Sequence, residues 1–92
     1  MKTRWIVLCE ADNVATALDD LAAGETIDTP AGDVVLRDAI SFGHKFAIAE
    51  IVHGREVLKY GEAIGAASAD IAPGDHVHTH NLDGLRGRGD LE

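Results

Sequence analysis

Positive charge is scarce in this chain of 92 residues. Lys2, Lys45 and Lys59 are its only lysines, and eight basic residues face sixteen acids, for a net charge of −8. That balance argues against a nucleic-acid partner, because gripping a phosphate backbone needs a basic face. Cysteine is almost absent. Cys9 stands alone, so no internal disulfide is available, and the composition suits a reducing compartment; the cytoplasm is the expected location. No stretch approaches the ~20 apolar residues of a membrane span. Lys2 and Arg4 precede the apolar run Trp5–Cys9, but that run is too short for a signal peptide, and Leu8 is not the small residue a cleavage site needs. Aromatic residues make up 4%, namely Trp5, Phe42, Phe46 and Tyr60, so the core must be built from Val, Ile, Leu and Ala. A chain this short forms one domain, burying roughly 60–65% of its unfolded surface.

What is present is a repeated local pattern: acid, aliphatic, two residues, Gly, two residues, aliphatic. It occurs from Asp20 to Ile27, from Glu50 to Val57 and from Asp70 to Val77, with Gly24, Gly54 and Gly74 at the centre. Pro73-Gly74 is a tight-turn signature, since proline presets φ and glycine accepts positive φ. Each copy therefore reads as strand, turn, strand. The expected fold is mostly β, a small domain of short strands and tight turns. Thr3–Leu8, the Val-rich 33–36 segment, 46–51 and 76–81 read as strands. Asp12–Leu21 reads as mainly strand, with room for one helical turn. The domain is expected to cover residues 1–82, with a flexible Gly/Arg-rich tail at 83–92.

Five histidines are many for this length, and His76, His78 and His80 alternate. On a strand they share one face, neighbours standing roughly 6.5–7 Å apart and the outer pair roughly 13 Å. His76 with His78, or His78 with His80, therefore suits a metal ion completed by further ligands, from His44 or another chain. The same spacing equally suits a solvated polar face. Gly43-His44-Lys45 offers a base and a cation on a glycine-flanked loop, or an ordinary surface turn. Lys59 and Tyr60 could flank a ligand or close the core.

Three blocks taken together carry a resemblance: Gly43-His44-Lys45-Phe46-Ala47; Lys59-Tyr60-Gly61-Glu62-Ala63-Ile64-Gly65; and Ile71-Ala72-Pro73-Gly74-Asp75-His76-Val77-His78-Thr79-His80-Asn81-Leu82. The set is similar to the SAF domain of the altronate/galactarate dehydratase family. The resemblance implies a β-clip fold. It implies a lyase that dehydrates sugar acids, with a divalent metal such as iron held jointly with a large catalytic subunit. The chain resembles the small subunit of such a split enzyme, inactive alone; similar split enzymes include a sulfolactate sulfo-lyase. On this reading His44, Lys45 and His78 are catalytic, Lys59, Tyr60, His80 and Asn81 bind substrate, and His76 and His78 ligate metal with help from the partner. The competing reading is a non-catalytic SAF module that binds a sugar acid or a protein.

Overall fold

The computed structural model describes residues 4–7, 11–29 and 32–84; Cys9 and residues 85–92 lie outside them. Among the described residues there are nine short strands and no helix. They are β1 (Trp5–Ile6), β2 (Val14–Ala17), β3 (Thr26–Thr29), β4 (Gly32–Val35), β5 (Lys45–Ala47), β6 (Glu56–Lys59), β7 (Glu62–Ala67), β8 (His76–Val77) and β9 (Leu82–Gly84). They form three antiparallel sheets, ordered β1-β2-β5-β8, β3-β4 and β6-β7-β9. The 12–21 segment is strand where it is regular. β9 runs across the 82/83 boundary expected from the sequence and pairs with β7.

The three glycine-centred turns are present, with φ of +89° at Gly24 and Gly54 and +93° at Gly74. In each, the N–H after the glycine donates to the carbonyl three residues earlier: Glu25 to Ala22, Arg55 to Val52 and Asp75 to Ala72. The structure adds a fourth corner, Ile40–Phe46, with Gly43 at φ +84° and the His44 N–H on the Ser41 carbonyl at 2.9 Å. Its sequence hid it. Ala39 stands where the other copies have an acid, and Phe46 where they have an aliphatic residue.

The corners pair. Leu21 and Ile40 exchange two backbone hydrogen bonds of 2.8 Å, and Ile51 and Ile71 exchange two of 2.9 and 2.8 Å. The second pair repeats the first: Gly24 N–H donates to Leu36 as Gly54 does to Ala67, and Gly43 N–H to Ala17 as Gly74 does to Ala47. The acids of the motif serve this pairing. Asp20 Oδ1 accepts the Phe42 N–H and Asp70 Oδ1 the His53 N–H, each at 2.9 Å. The matching bond is closed to Glu50, because Pro73, the residue corresponding to Phe42, has no N–H to offer.

Each corner pair has its own core. Ala15, Ala17, Leu21, Ile27, Val34, Leu36, Ile40, Phe46 and Ile48 fill one; Val14, Ala47, Ile51, Val57, Ala67, Ile71 and Val77 fill the other. The period-two alternation along β2 and β5 sends successive residues to different cores. Fully burying an aliphatic or Phe side chain is worth about 1.5–3 kcal/mol. Nearly all of that comes from branched aliphatics here, with Phe46 the one fully buried aromatic among the described residues.

Candidate functional site

The β5–β8 edge gathers four histidines. His44 leaves the fourth corner and leads into β5, while His76 opens β8 opposite Phe46. The continuous strand expected over 76–81 is not formed. β8 ends at Val77, and residues 78–81 make a turn closed by Asn81. The Asn81 side chain accepts the His78 N–H and donates to the His76 carbonyl, each at 2.9 Å, so a side chain replaces the next ladder bond. The turn brings the His80 ring to 5.5 Å from that of His76, in place of the roughly 13 Å a strand would give.

The rings form a compact group. His44 lies 5.1 Å from His76 and 4.9 Å from His78, and His76 lies 5.5 Å from His78, measured between ring centres. His44 Nδ1 and His76 Nε2 share a hydrogen bond of 2.9 Å. One nitrogen donates and the other accepts, so at least one of the two rings is neutral. Burial lowers the His76 pKa, and the neighbouring imidazoles of His78, His44 and His80 lower it further; Asp38 opposes them. His76 therefore remains a neutral base at pH 7.

A shallow open cleft of about 410 Å³ adjoins the group, lined among others by Arg37, Asp38, Asp70, Asp75, His76 and His80. Arg37 Nε stands 3.4 Å from Asp75 Oδ1. Asp38 Oδ2 accepts the His76 N–H at 3.3 Å. The sequence reading missed Arg37, Asp38 and Asp75, because nothing in the 37–38 dipeptide signals that its loop lies against β8.

Lys45 is not in the histidine group. Successive residues of β5 point to opposite faces. Phe46 shares its face with His76, whereas Lys45 shares the other with Thr16 and Val77. On that second face lie Lys59 and Tyr60. The Lys59 ammonium sits 4.9 Å from the Tyr60 ring centre, and the Tyr60 hydroxyl is 3.4 Å from Thr16 Oγ1. Tyr60 itself has φ +55°, unusual for a residue other than glycine. Buried Asp12 holds it there: its carboxylate accepts the Tyr60 N–H at 2.9 Å and the Gly61 N–H at 2.8 Å.

Among the described residues no three His, Cys, Asp or Glu side chains are arranged to hold one metal ion. His44 Nδ1 and His76 Nε2 face each other in a shared hydrogen bond, and two imidazoles do not complete a metal site, so an ion here would need further ligands. No helix there is long and apolar enough to cross a membrane.

Comparison with known proteins adds a family. The sequence profile described as altronate/galactarate dehydratase SAF domain matches residues 3–85. The chain is 49% identical over 78 residues to altronate dehydratase of Escherichia coli, and 39% identical over 77 residues to altronate dehydratase of Bacillus subtilis. These stretches cover 85% and 84% of this chain but only 16% of each relative. It is also 43% identical over 47 residues to the (2R)-sulfolactate sulfo-lyase subunit alpha of Chromohalobacter salexigens, covering 51% of this chain and 50% of that subunit.

Proposed function

Since the chain belongs to the altronate/galactarate dehydratase SAF domain family, we propose that it is the small subunit of a lyase that removes water from a sugar acid, completing an active site built mainly by a large catalytic subunit. The observation that carries this reading is the four-histidine group on the β5–β8 edge, with its His44–His76 hydrogen bond. The small-subunit part draws support from the sulfo-lyase relative. Half of that subunit alpha aligns over 47 residues, so it is close to this chain in size.

Elimination beside a carboxylate breaks a C–H bond and a C–O bond and leaves an enol, which tautomerises to the keto acid. It needs a base for the α-proton and an acid for the departing hydroxyl. His76, held neutral by burial and its neighbours, is the base of this group. His44 shares its proton and orients its ring. His78, edge-on to both, is the acid, and His80 with the cleft meets the hydroxyls of the substrate. A divalent metal in the assembled enzyme would take its ligands mainly from the large subunit, and no step here is assigned to it.

The test is co-expression with a candidate large subunit, followed by assay of altronate, galactarate and (2R)-sulfolactate for elimination. Turnover by the complex and none by the purified 92-residue chain is the expected result. Turnover by the chain alone would overturn the dependence on a partner. Full turnover by the large subunit without this chain would leave the second reading, a non-catalytic SAF binding module.

A further inference from the structure

The sheet does not dictate where His80 lies. The β5–β8 ladder ends at the pair of Lys45 with Val77. Next along β5, the His44 N–H and carbonyl are engaged with Ser41 and Ala17. Beyond Val77 the chain is gripped by the Asn81 side chain, whose Oδ1 accepts the His78 N–H and whose Nδ2 donates to the His76 carbonyl. Both ends of the amide are thus committed to the backbone that carries the histidines. Asn81 is 7% exposed, and its own main chain is fastened separately. Its N–H donates to the His78 carbonyl at 3.0 Å, and its carbonyl accepts the Ser68 N–H at 2.9 Å. Ser68 directly follows β7, so the clamp is tied to a different sheet from the one bearing His76.

The same two-bond grip recurs at β6. Asn13 Nδ2 donates to the Glu56 carbonyl at 3.0 Å, and its Oδ1 accepts the Leu58 N–H at 2.7 Å. Asn13 comes from a segment distant along the chain, and β6 stays a strand. Asn81 makes the grip from three and five residues away, so it folds the chain back on itself. The consequence falls on His80. A continued strand would set its ring roughly 13 Å from that of His76. The clamped turn sets it at 5.5 Å, on the wall of the cleft that His76 and Arg37 also line. His78 moves far less, since a strand already puts it roughly 6.5–7 Å from His76, and it stands at 5.5 Å. His80 is exposed, so its place at the cleft is set by the backbone beneath it rather than by packing.

We propose that Asn81 is a positioning residue that acts through His80, holding that ring at the cleft wall where it meets the hydroxyls of the substrate. The chemistry rests on the lyase reading; the geometry rests on the fold alone. Asn81 also lines the cleft, and direct contact with substrate is the role the experiment must separate from this one.

The first measurement is made on the 92-residue chain. Ring-proton NOEs between His76 and His80, and between His44 and His76, are compared in wild type and Asn81→Ala. The expected result is loss of the His76–His80 contact with the His44–His76 contact kept. A His76–His80 contact that persists in the variant, or is missing from wild type, would overturn the proposal. Loss of both contacts would overturn it too, by making Asn81 a general support of the edge. Asn81→Leu, of nearly the same shape and without either bond, replaces the alanine variant if that one does not fold. The second measurement is a steady-state assay of the reconstituted complex with Asn81→Ala, His80→Ala and the double variant. Each single variant should raise KM for the sugar acid about tenfold, a larger change than any fall in kcat, and the double variant should raise it no further. Effects that multiply would mean that Asn81 touches the substrate itself, against the proposal. A wild-type complex without turnover would fail the lyase reading, while the ring contacts would still decide whether Asn81 places His80.

Discussion

The first pair of corners and the second are built on the same backbone plan, yet they differ at the residue after each glycine. Glu25 and Asp75 follow Gly24 and Gly74, and each carboxylate turns back to accept a hydrogen bond within its own corner, from Ala22 and Ala72. His44 and Arg55 follow Gly43 and Gly54 and cannot do this. The side chain released at His44 is the one that meets His76. The scaffold thus repeats at positions that make the turn, and diverges at the one position where a side chain can either serve the turn or leave it. Asp75 and His44 correspond in the two halves. One closes a corner, and the other joins the site.

The comparison is sharpest at the glycines. Gly24, Gly43 and Gly54 need positive φ but face open space, whereas a Cβ on Gly74 would stand 2.1 Å from the Val35 carbonyl oxygen. Gly54→Ala should cost about 1 kcal/mol, from φ alone. Gly74→Ala should cost about 3 kcal/mol or more, because β4 must also move. Urea unfolding of the two variants measures the difference, and equal costs would mean that the Gly74 corner is not packed against β4.

The histidines come next. In the reconstituted complex, His44→Ala and His78→Ala should each lower turnover by about 10²-fold, as loss of an acid or base does. His53→Ala, in the corner of the second half, should leave it unchanged. Steady-state assay decides, and equal effects at His44 and His53 would reduce the group to a polar surface.

The motif acids give a smaller contrast. Asp70→Ala removes the bond to the His53 N–H and should cost about 1 kcal/mol. Glu50→Ala, opposite a proline, should fall within about 0.5 kcal/mol of wild type by thermal unfolding.

The smallest effect is that of pH. His76 has its pKa lowered on folding, so below about 6.5 the unfolded chain binds a proton that the native state resists. Stability should therefore fall as pH drops from near 6.5 toward the depressed native value and level off beneath it. In His76→Gln that part of the loss should vanish, while the carboxylate-linked loss at lower pH persists. Unfolding midpoints at pH 7.5 and 5.5 are the measurement.

Much of this was legible. Three corners followed from Gly24, Gly54 and Gly74, because positive φ at a tight turn leaves a chemical signature. The alternation of Phe46 and Ile48 against Ala47 and Ile51 was readable too, and it places them in different cores. The fourth corner was hidden by Ala39 and Phe46, which stand where the other copies carry an acid and an aliphatic residue. The turn at 78–81 was missed because its cause is one side chain, Asn81, bonding backwards, while the histidine alternation spoke for a strand. Lys45 was grouped with His44 because they are neighbours in sequence. On a strand, that adjacency is what sends them to opposite faces. Tyr60 at positive φ carried no local signal at all; its cause is Asp12, far away along the chain.

The interleaving of the two cores bears on how the chain reaches its native state. Val14 and Ala15 are neighbours on β2, yet Val14 packs in the core of the second half and Ala15 in that of the first. Ala47 and Phe46 on β5 divide in the same way. Neither half can therefore complete its interior before the β2–β5 pairing is made, and that pairing joins residues distant along the chain. The repeated architecture does not yield two independent folding units. It yields a single cooperative transition whose rate is set by closing a long loop rather than by any local turn, which places this domain among slow folders for its size.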